Sequence, residues 1–534
     1  MIKNYEYSHR TLGNIIKDKA ELNGDRAYLQ FEEGDEVSYQ EVDRVTNKIA
    51  NGLIRLGIKK GQKVAIFMPN SLEAVYIWFA CSKLGVLDVP INIANKGYFL
   101  SHVLNDSEAR FIVIDQQLID RLKFIENDLS KLEKVIIWSR SPAKEIPKLR
   151  FDVTDYEQLC KSSSERPEAD IKPSDAQSII YTSGTTGPAK GVVTTYAQSY
   201  LAACEYVEAT RATSEDIFFT CLPVFHANAR WLCILPAMLL DAKVVIYERL
   251  SATRFWNQIR KSKATIFNSL GAMATFIYNQ PRKADDGDNP VRVCMAAPMP
   301  PEIFKDFEKR FNIKVVEGYG LTETGIITYN PYDMPKIGSC GKETKSFEVK
   351  IVDEDDQPVP PRTVGEIVVR SKVPWIMSPG YYNLADKTVD TYRNFYFHTG
   401  DAGYLDEDGY LYFRDRVKDY IRRRGENISS FEIEGVVNSH PKVAESAAIG
   451  VKSEVGEDEV KIVVVLKEGE SLAPEELLAF CEPRMPYFAV PRYIEFVDSL
   501  PKTPNEKIQK AKLREAGITK NTWDRESIGY KVKR

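Results

Sequence analysis

The sequence predicts an α/β protein: a large N-terminal part built from two α/β segments and a β-rich stretch, followed by a small α/β unit. Three observations carry this. The chain has 534 residues, and at roughly 100–200 residues per domain that is too long for one simple domain. Over the first 290 residues, helical periods alternate with short apolar runs, the pattern of a sheet with helices on its faces. After Arg416 the pattern restarts as a short, separate set of strands and helices.

Tyr39 to Leu56 has helical spacing, with Val42, Val45, Ile49 and Leu53 on one face. Lys63 to Met68 reads as a strand, Ser71 to Leu84 as a helix, and Gly85-Val86-Leu87 leads into another strand. The polar, proline-containing run from Ser162 to Asp175 is a connection, and a second α/β stretch is expected from Gln177 to about Pro290. Val315 to Glu317, Phe347 to Val352, Glu366 to Arg370 and Tyr410 to Phe413 then read as strands of an added β-rich subdomain. Asp415 to Asp419 is short and charged, more a hinge than a linker. In the last unit, Phe431 to Ser439 and Pro474 to Glu482 read as helices. Val443 to Val451, Glu459 to Leu466 and Tyr493 to Val497 read as strands, and a loose polar tail is expected from Thr519. The domains are therefore drawn at 1–416 and 417–534.

Bulk properties exclude several classes. The net charge is −4 and the pI about 6.0, which argues against a nucleic-acid binder. The N-terminus MIKNYEYSHR has no apolar core of a secretory signal, and no apolar run is long enough to span a membrane. Eight cysteines are scattered without a CxxC pair, so a reducing, cytoplasmic setting is expected. Five scattered histidines without HExxH argue against a histidine-ligated metal.

The run YTSGTTGPAKGVV begins at Tyr181. Its glycines allow tight turns. The hydroxyls of Thr182, Ser183, Thr185 and Thr186, the amides around Gly184 and Gly187, and the charge of Lys190 suit phosphate oxygens. It is not a P-loop, because Lys190 stands three after Gly187 and is followed by Gly191 and a strand-like run. A hairpin is expected instead. A shorter TSG fragment would read equally well as a plain turn.

Further along, Glu317-Gly318-Tyr319-Gly320-Leu321-Thr322-Glu323-Thr324 reads as a strand end with a glycine-bracketed aromatic. Tyr319 suits purine stacking, with Gly318 and Gly320 clearing space. Thr322 suits a phosphate and Glu323 a hard cation such as Mg²⁺. The competing reading is a turn before a helix capped by Thr322. In His398-Thr399-Gly400-Asp401, Asp401 is a natural acceptor for two ribose hydroxyls, or an ordinary turn aspartate. His226, in LPVFH, reads by itself as a core residue, and Lys507, after Pro-Lys-Thr-Pro, as a solvated lysine.

Taken together and in this order, these runs resemble the adenylate-forming superfamily of acyl-CoA synthetases, luciferase-like enzymes and adenylation domains, over nearly the whole chain. The resemblance implies that the β-rich part is a distorted β-barrel and that the C-terminal domain is mobile about a hinge at Lys418. It implies ATP contacts from Thr182 to Gly187, Lys190, Ala297, Glu317, Gly318, Tyr319, Thr322, Asp401, Arg416 and Lys507. Lys507, Glu323 and Thr322 become catalytic, with Mg²⁺ on Glu323. His226, Trp231 and Met295 fall by the acyl pocket, and Phe225, Asn228, Arg230 and Trp256 are read as its further lining. Arg424 and Gly425, in RRRGENIS, face coenzyme A. The implied reaction joins a carboxylic acid to CoA through an acyl-adenylate; the alternative acceptor is a carrier protein. YERLSATRFWNQIRKSKAT and RRRGENIS look most like the crotonobetaine/carnitine-CoA ligase branch. Partners are thus a small carboxylic acid and CoA, with a homodimer left open. The chain departs from the family pattern at Arg424, Glu506, Asp415 and Met295-Ala296, where glycines are usual; none removes a chemical group.

Overall fold

The computed structural model describes residues 5–140, 146–182, 188–416, 420–423, 426–453, 457–502 and 508–532. Two large sheets carry the N-terminal part. The first has eight strands: Gly380–Tyr381, Lys190–Thr195, Ala176–Thr182, Leu87–Pro90, Lys63–Phe67, Phe111–Asp115, Lys134–Trp138 and Asp152–Asp155, in that spatial order. The second has nine, running from Lys342–Glu343 at one edge to Glu36–Ser38 at the other, with Val293–Ala296 and Ile266–Ser269 near its middle.

These sheets do not follow the sequence halves. Ala27–Phe31 pairs in parallel with Lys243–Ile246 in the second sheet, while Ala176–Thr182 and Lys190–Thr195 belong to the first. Val315 to Glu317 also moves: it lies in Lys314–Leu321, parallel to Val293–Ala296, and not in the β-rich subdomain. Periodicity reports which face of a strand is buried but not which strand lies beside it, so this exchange left no trace in the pattern.

Helix Leu72–Leu84 shows why the sheets pack as they do. Ser71 Oγ accepts from Ala74 N at 3.1 Å to start it, and Gly85 ends it at φ 63°. Every residue from Ala74 to Leu84 is buried, as befits a helix that is apolar on most sides, and its one buried charge in that span, Lys83, pairs with Asp43 at 2.6 Å. Helix Tyr39–Arg55, capped by Ser38, packs on it with Val42, Ile49 and Leu53 fully buried. Arg230 and Asp88, both essentially inaccessible, form an ion pair at 2.5 Å within this core, and the Arg230 guanidinium lies over Trp78. Arg230 is therefore a core residue, not pocket lining as expected. Trp256 is likewise core, stacked on Phe311 at 4.4 Å.

The β-rich subdomain is a five-stranded antiparallel sheet in which Phe347–Val352, Gly365–Ser371, Tyr396–Leu405 and Leu411–Arg416 follow one another. The last unit has its own core under the sheet Val443–Lys452, Asp458–Leu466, Tyr493–Phe496 and Trp523–Asp524. The tail from Thr519 is not loose. Trp523–Asp524 pairs with Tyr493–Ile494, and Arg525 is buried, donating to Val490 O at 2.9 Å. Its polar composition hid this because its hydroxyls and guanidinium satisfy buried acceptors. Among the described residues no helix is long and apolar enough to cross a membrane.

Candidate active site

All three sheets and the C-terminal unit meet at one cavity of about 1050 Å³. The phosphate-loop candidate enters it as a hairpin, with Thr182 paired to Lys190, as expected; Ser183, Gly184, Thr185, Thr186 and Gly187 lie outside the described residues. Lys190 Nζ sits 4.8 Å from the centre of the Tyr381 ring, and the Tyr381 hydroxyl donates to Glu323 Oε1 at 2.9 Å. Tyr381 thus joins the hairpin to the second sheet. Sequence reasoning missed it, because only the pairing of Gly380–Tyr381 with Val192 and Val193 brings it there.

The run 317–324 continues the strand to Leu321 and then turns back into Gly325–Tyr329, so no helix follows. Thr322 and Glu323 line the cavity at this turn, and Gln198 Nε2 holds the Thr322 carbonyl at 2.8 Å. Gly318 and Gly320 both line the cavity, and packing also requires them. A Cβ on Gly318 would come 2.8 Å from the Met295 methyl, and one on Gly320 would come 2.0 Å from the Gly325 carbonyl oxygen. Glu317 is buried behind the strand, where its Oε1 accepts from Met299 N at 3.1 Å; it thereby fixes the loop bearing Ala297. Burial pushes its carboxyl up to about 7.

Tyr319 OH donates to Asp401 Oδ2 at 2.6 Å, so the phenol orients the carboxylate expected to meet a ribose. Asp401 does not stand at a turn as expected: it lies within the strand Tyr396–Leu405, beside an irregularity in its pairing with Gly365–Ser371 where Gly400 takes φ 72°, and this bulge is held from behind. Glu366 Oε1 accepts from Gly400 N at 3.0 Å, its Oε2 meets His398 Nδ1 at 2.9 Å, and Thr399 Oγ1 accepts from Asp401 N at 3.0 Å. Arg416 lies opposite Asp401 in the ladder.

His226, Trp231, Met295 and Ala297 all line the cavity. Trp231 is buried against Ile180 and Ala202. The C-terminal unit closes the remaining side. Glu426 Oε2 lies 3.4 Å from His226 Nε2, and Glu426 Oε1 accepts from Asn92 Nδ2 at 3.3 Å. Glu432, fully buried, accepts from Ala189 N at 3.0 Å beside the hairpin end; burial pushes it up to about 7. Nothing in the sequence marked Glu432, since the contact joins residues 243 positions apart. Arg422 lines the cavity. Arg423, its neighbour in the RRRGENIS run, is instead buried, ion-paired to Glu459 at 2.7 Å and donating to Phe488 O. Lys418, Arg424, Gly425 and Lys507 lie outside the described residues. Near Lys507, Lys502 pairs with Glu445 and Lys510 with Glu434.

A hairpin bearing a lysine, a buried aspartate in a bulged strand and a glutamate thus face one cavity that a second unit closes, an arrangement of cation and hard oxygen donors suited to an anionic ligand. The chain belongs to the AMP-binding enzyme family: that model matches residues 16–382, and the family's C-terminal domain matches residues 432–507. It is 32% identical over 517 residues to a crotonobetaine/carnitine–CoA ligase of Salmonella heidelberg (strain SL476), covering 95% of this chain and 99% of that one. Among solved structures, a double mutant of o-succinylbenzoate CoA synthetase from Bacillus subtilis, bound to a product analogue, superposes with a TM-score of 0.81. It is 26% identical, over 94% of this chain and 98% of that chain. A fatty acyl CoA synthetase of Mycobacterium tuberculosis gives a TM-score of 0.68 at 27% identity, over 96% and 99% of the two chains.

Proposed function

We propose that this chain is an AMP-forming acyl-CoA ligase that activates a small carboxylic acid with ATP and passes the acyl group to the thiol of coenzyme A. The observation that carries this is the meeting of the Thr182–Lys190 hairpin, Glu323 and Asp401 at one cavity that the C-terminal unit closes.

A carboxylate is a weak nucleophile, and its attack on the α-phosphorus brings several negative groups together. Catalysis therefore rests on positioning and charge stabilisation. In this reading Asp401, oriented by Tyr319, holds the ribose with help from Arg416. The loop from Thr182 to Lys190 holds the β,γ-phosphates as a leaving group. Thr322 meets the α-phosphate, Ala297, Gly318 and Tyr319 border the adenine, and Glu317 fixes their loop. Glu323 is a hard oxygen donor on the cavity wall, and among the described residues no further carboxylate, histidine or cysteine completes a metal cluster with it. That donor set fits Mg²⁺, which characteristically takes one or two carboxylates and completes its shell with phosphates and water; bound there, the ion would offset phosphate charge. Lys507 neutralises the incoming carboxylate and the α-phosphate. His226, Trp231 and Met295 border the acyl group, and Arg424 and Gly425 meet CoA after the domain 417–534 turns about Lys418 relative to 1–416.

Incubation with ATP, Mg²⁺ and a panel of acids, with and without CoA, tests this. Expected is pyrophosphate release with any accepted acid and a thioester only with CoA. Pyrophosphate without thioester on any acid would point to a carrier protein as acceptor. Lys507→Ala is expected to slow adenylation by about a hundredfold or more, the scale of a lost transition-state charge contact, while sparing thioester formation from a supplied acyl-adenylate. Equal losses in both half-reactions would remove Lys507 from its assigned step.

A further inference from the structure

Beside Trp231, Leu232 and Met295 the cavity is lined by a polar side chain, Asn228, whose orientation is fixed from behind. Asn268 lies on strand Ile266–Ser269, directly beside Met295 in the adjacent strand. Its Nδ2 donates to Leu232 O at 3.0 Å and to Asn228 Oδ1 at 2.9 Å, and Tyr206 OH donates to its Oδ1 at 2.7 Å.

Leu232 O is a backbone carbonyl and can only accept. This settles which end of the Asn268 amide is nitrogen, without reference to the assigned rotamer. The Asn268 nitrogen then demands an acceptor from Asn228, so the Asn228 oxygen faces inward and its Nδ2 faces the cavity. Nδ2 makes no hydrogen bond to any described residue, while Asn228 lines the cavity. The Leu232 carbonyl reaches Asn268 within the wide turn Arg230–Ile234, where Leu235 N bonds back to Arg230 O. Such π-type turns are over-represented at functional sites.

We infer that Asn228 is a specificity-determining residue, an obligate N–H donor presented to the acyl chain, and that the substrate is a short acid bearing an uncharged oxygen acceptor such as a hydroxyl, keto or ether group. This rests on the ligase reading, which places the acyl group at this wall. A rigid donor rewards an acceptor in the substrate and is left unpaired by a plain alkyl chain. A cationic tail would meet the positive end of the amide.

The test compares kcat/KM within matched pairs of acids, such as butanoate with 3-hydroxybutanoate and with 4-hydroxybutanoate, and pentanoate with 4-oxopentanoate, read by pyrophosphate release. The oxygenated member of at least one pair is expected to be favoured by about tenfold, the scale of one net hydrogen bond. Asn228→Leu should abolish that ratio. Asn228→Asp, which keeps an acceptor toward Asn268 and turns a second one to the cavity, should reverse it in favour of 4-aminobutanoate. Turnover with no preference in any pair, or a preference that survives in Asn228→Leu, overturns the inference and leaves the ligase reading standing. No pyrophosphate release with any acid overturns the ligase reading and this inference with it.

Discussion

Glu432 and Glu317 are two buried carboxyls that protonate near neutrality, both pushed up to about 7 by burial. Each gives one oxygen to a backbone N–H, Ala189 N and Met299 N respectively, which opposes the burial without cancelling it. The sign follows from linkage: a carboxyl whose folded pKa is raised binds more protons folded than unfolded. Its contribution is fully present below about 4.5 and is lost as pH rises toward about 7, after which it is flat. Glutamine keeps an acceptor for each N–H but cannot ionise. The melting temperature of Glu432→Gln, and separately of Glu317→Gln, is therefore expected to gain on the unaltered protein as pH rises from about 4.5 to 7. A constant difference across that range would show that neither carboxyl titrates there. For Glu432 the gain should also appear as tighter seating of the C-terminal unit on the hairpin end.

At the scale of elements, the strand Gly365–Ser371 does more than pair. Glu366 holds the bulged stretch of strand that presents Asp401, through Gly400 N and His398 Nδ1. Glu366→Ala is expected to raise the KM for ATP roughly tenfold, as a charge-assisted hydrogen bond to the bulge is lost, with the KM for CoA unchanged. Steady-state kinetics against each substrate in turn separates this from general destabilisation, which would lower kcat alone. The terminal segment is a second case. Thr519 and Thr522 donate to Glu495 at 2.8 and 2.7 Å, and Glu495 holds the buried Lys461 at 2.6 Å. Deleting residues from Thr519 onward strips these partners and the edge strand Trp523–Asp524, and is expected to destabilise the C-terminal unit by about 3 kcal/mol or more. A urea transition unmoved by the deletion would show the tail to be dispensable.

At the scale of the whole molecule, the C-terminal unit is seated through a close backbone approach as well as through Glu426 and Glu432. Gly97 has φ +49°, and a Cβ there would lie 2.9 Å from both Cα and the carbonyl oxygen of Arg484. Phe99, two residues on, is buried in the core of the C-terminal unit. Gly97→Ala is expected to cost about 1 kcal/mol from the left-handed backbone alone and to push the two bodies apart. Arg422 and Glu426, which flank the Arg424-Gly425 pair in the chain, stand at the cavity together with Glu432, so this seating is the one expected after the turn about Lys418, when the acyl group passes to CoA. Single-turnover measurements should therefore show slower transfer to CoA from a supplied acyl-adenylate, with adenylation largely retained. An equal loss in both would indicate misfolding rather than mis-seating.

The linear sequence by itself determined the class of the protein. The hydroxyl- and glycine-rich run at 181–193, the run at 398–401 and the run at 317–324 are short, and their chemistry is legible from residue type and spacing. The helices Tyr39–Arg55 and Leu72–Leu84 were legible too, because their caps and apolar faces are local. The tertiary structure alone decided which strands share a sheet, since pairing between Ala27–Phe31 and Lys243–Ile246 is set by contacts more than 200 residues apart. It also decided that Arg230, Arg423 and Trp256 are core. A guanidinium or indole looks the same in sequence whether its partner is a substrate or a buried Asp88, Glu459 or Phe311. For the same reason Tyr381, Glu366 and Glu432 were invisible, and the orientation of Asn228 could be read only through Asn268. These residues work through hydrogen bonds, which are short-ranged and directional, and only folding brings their partners within reach.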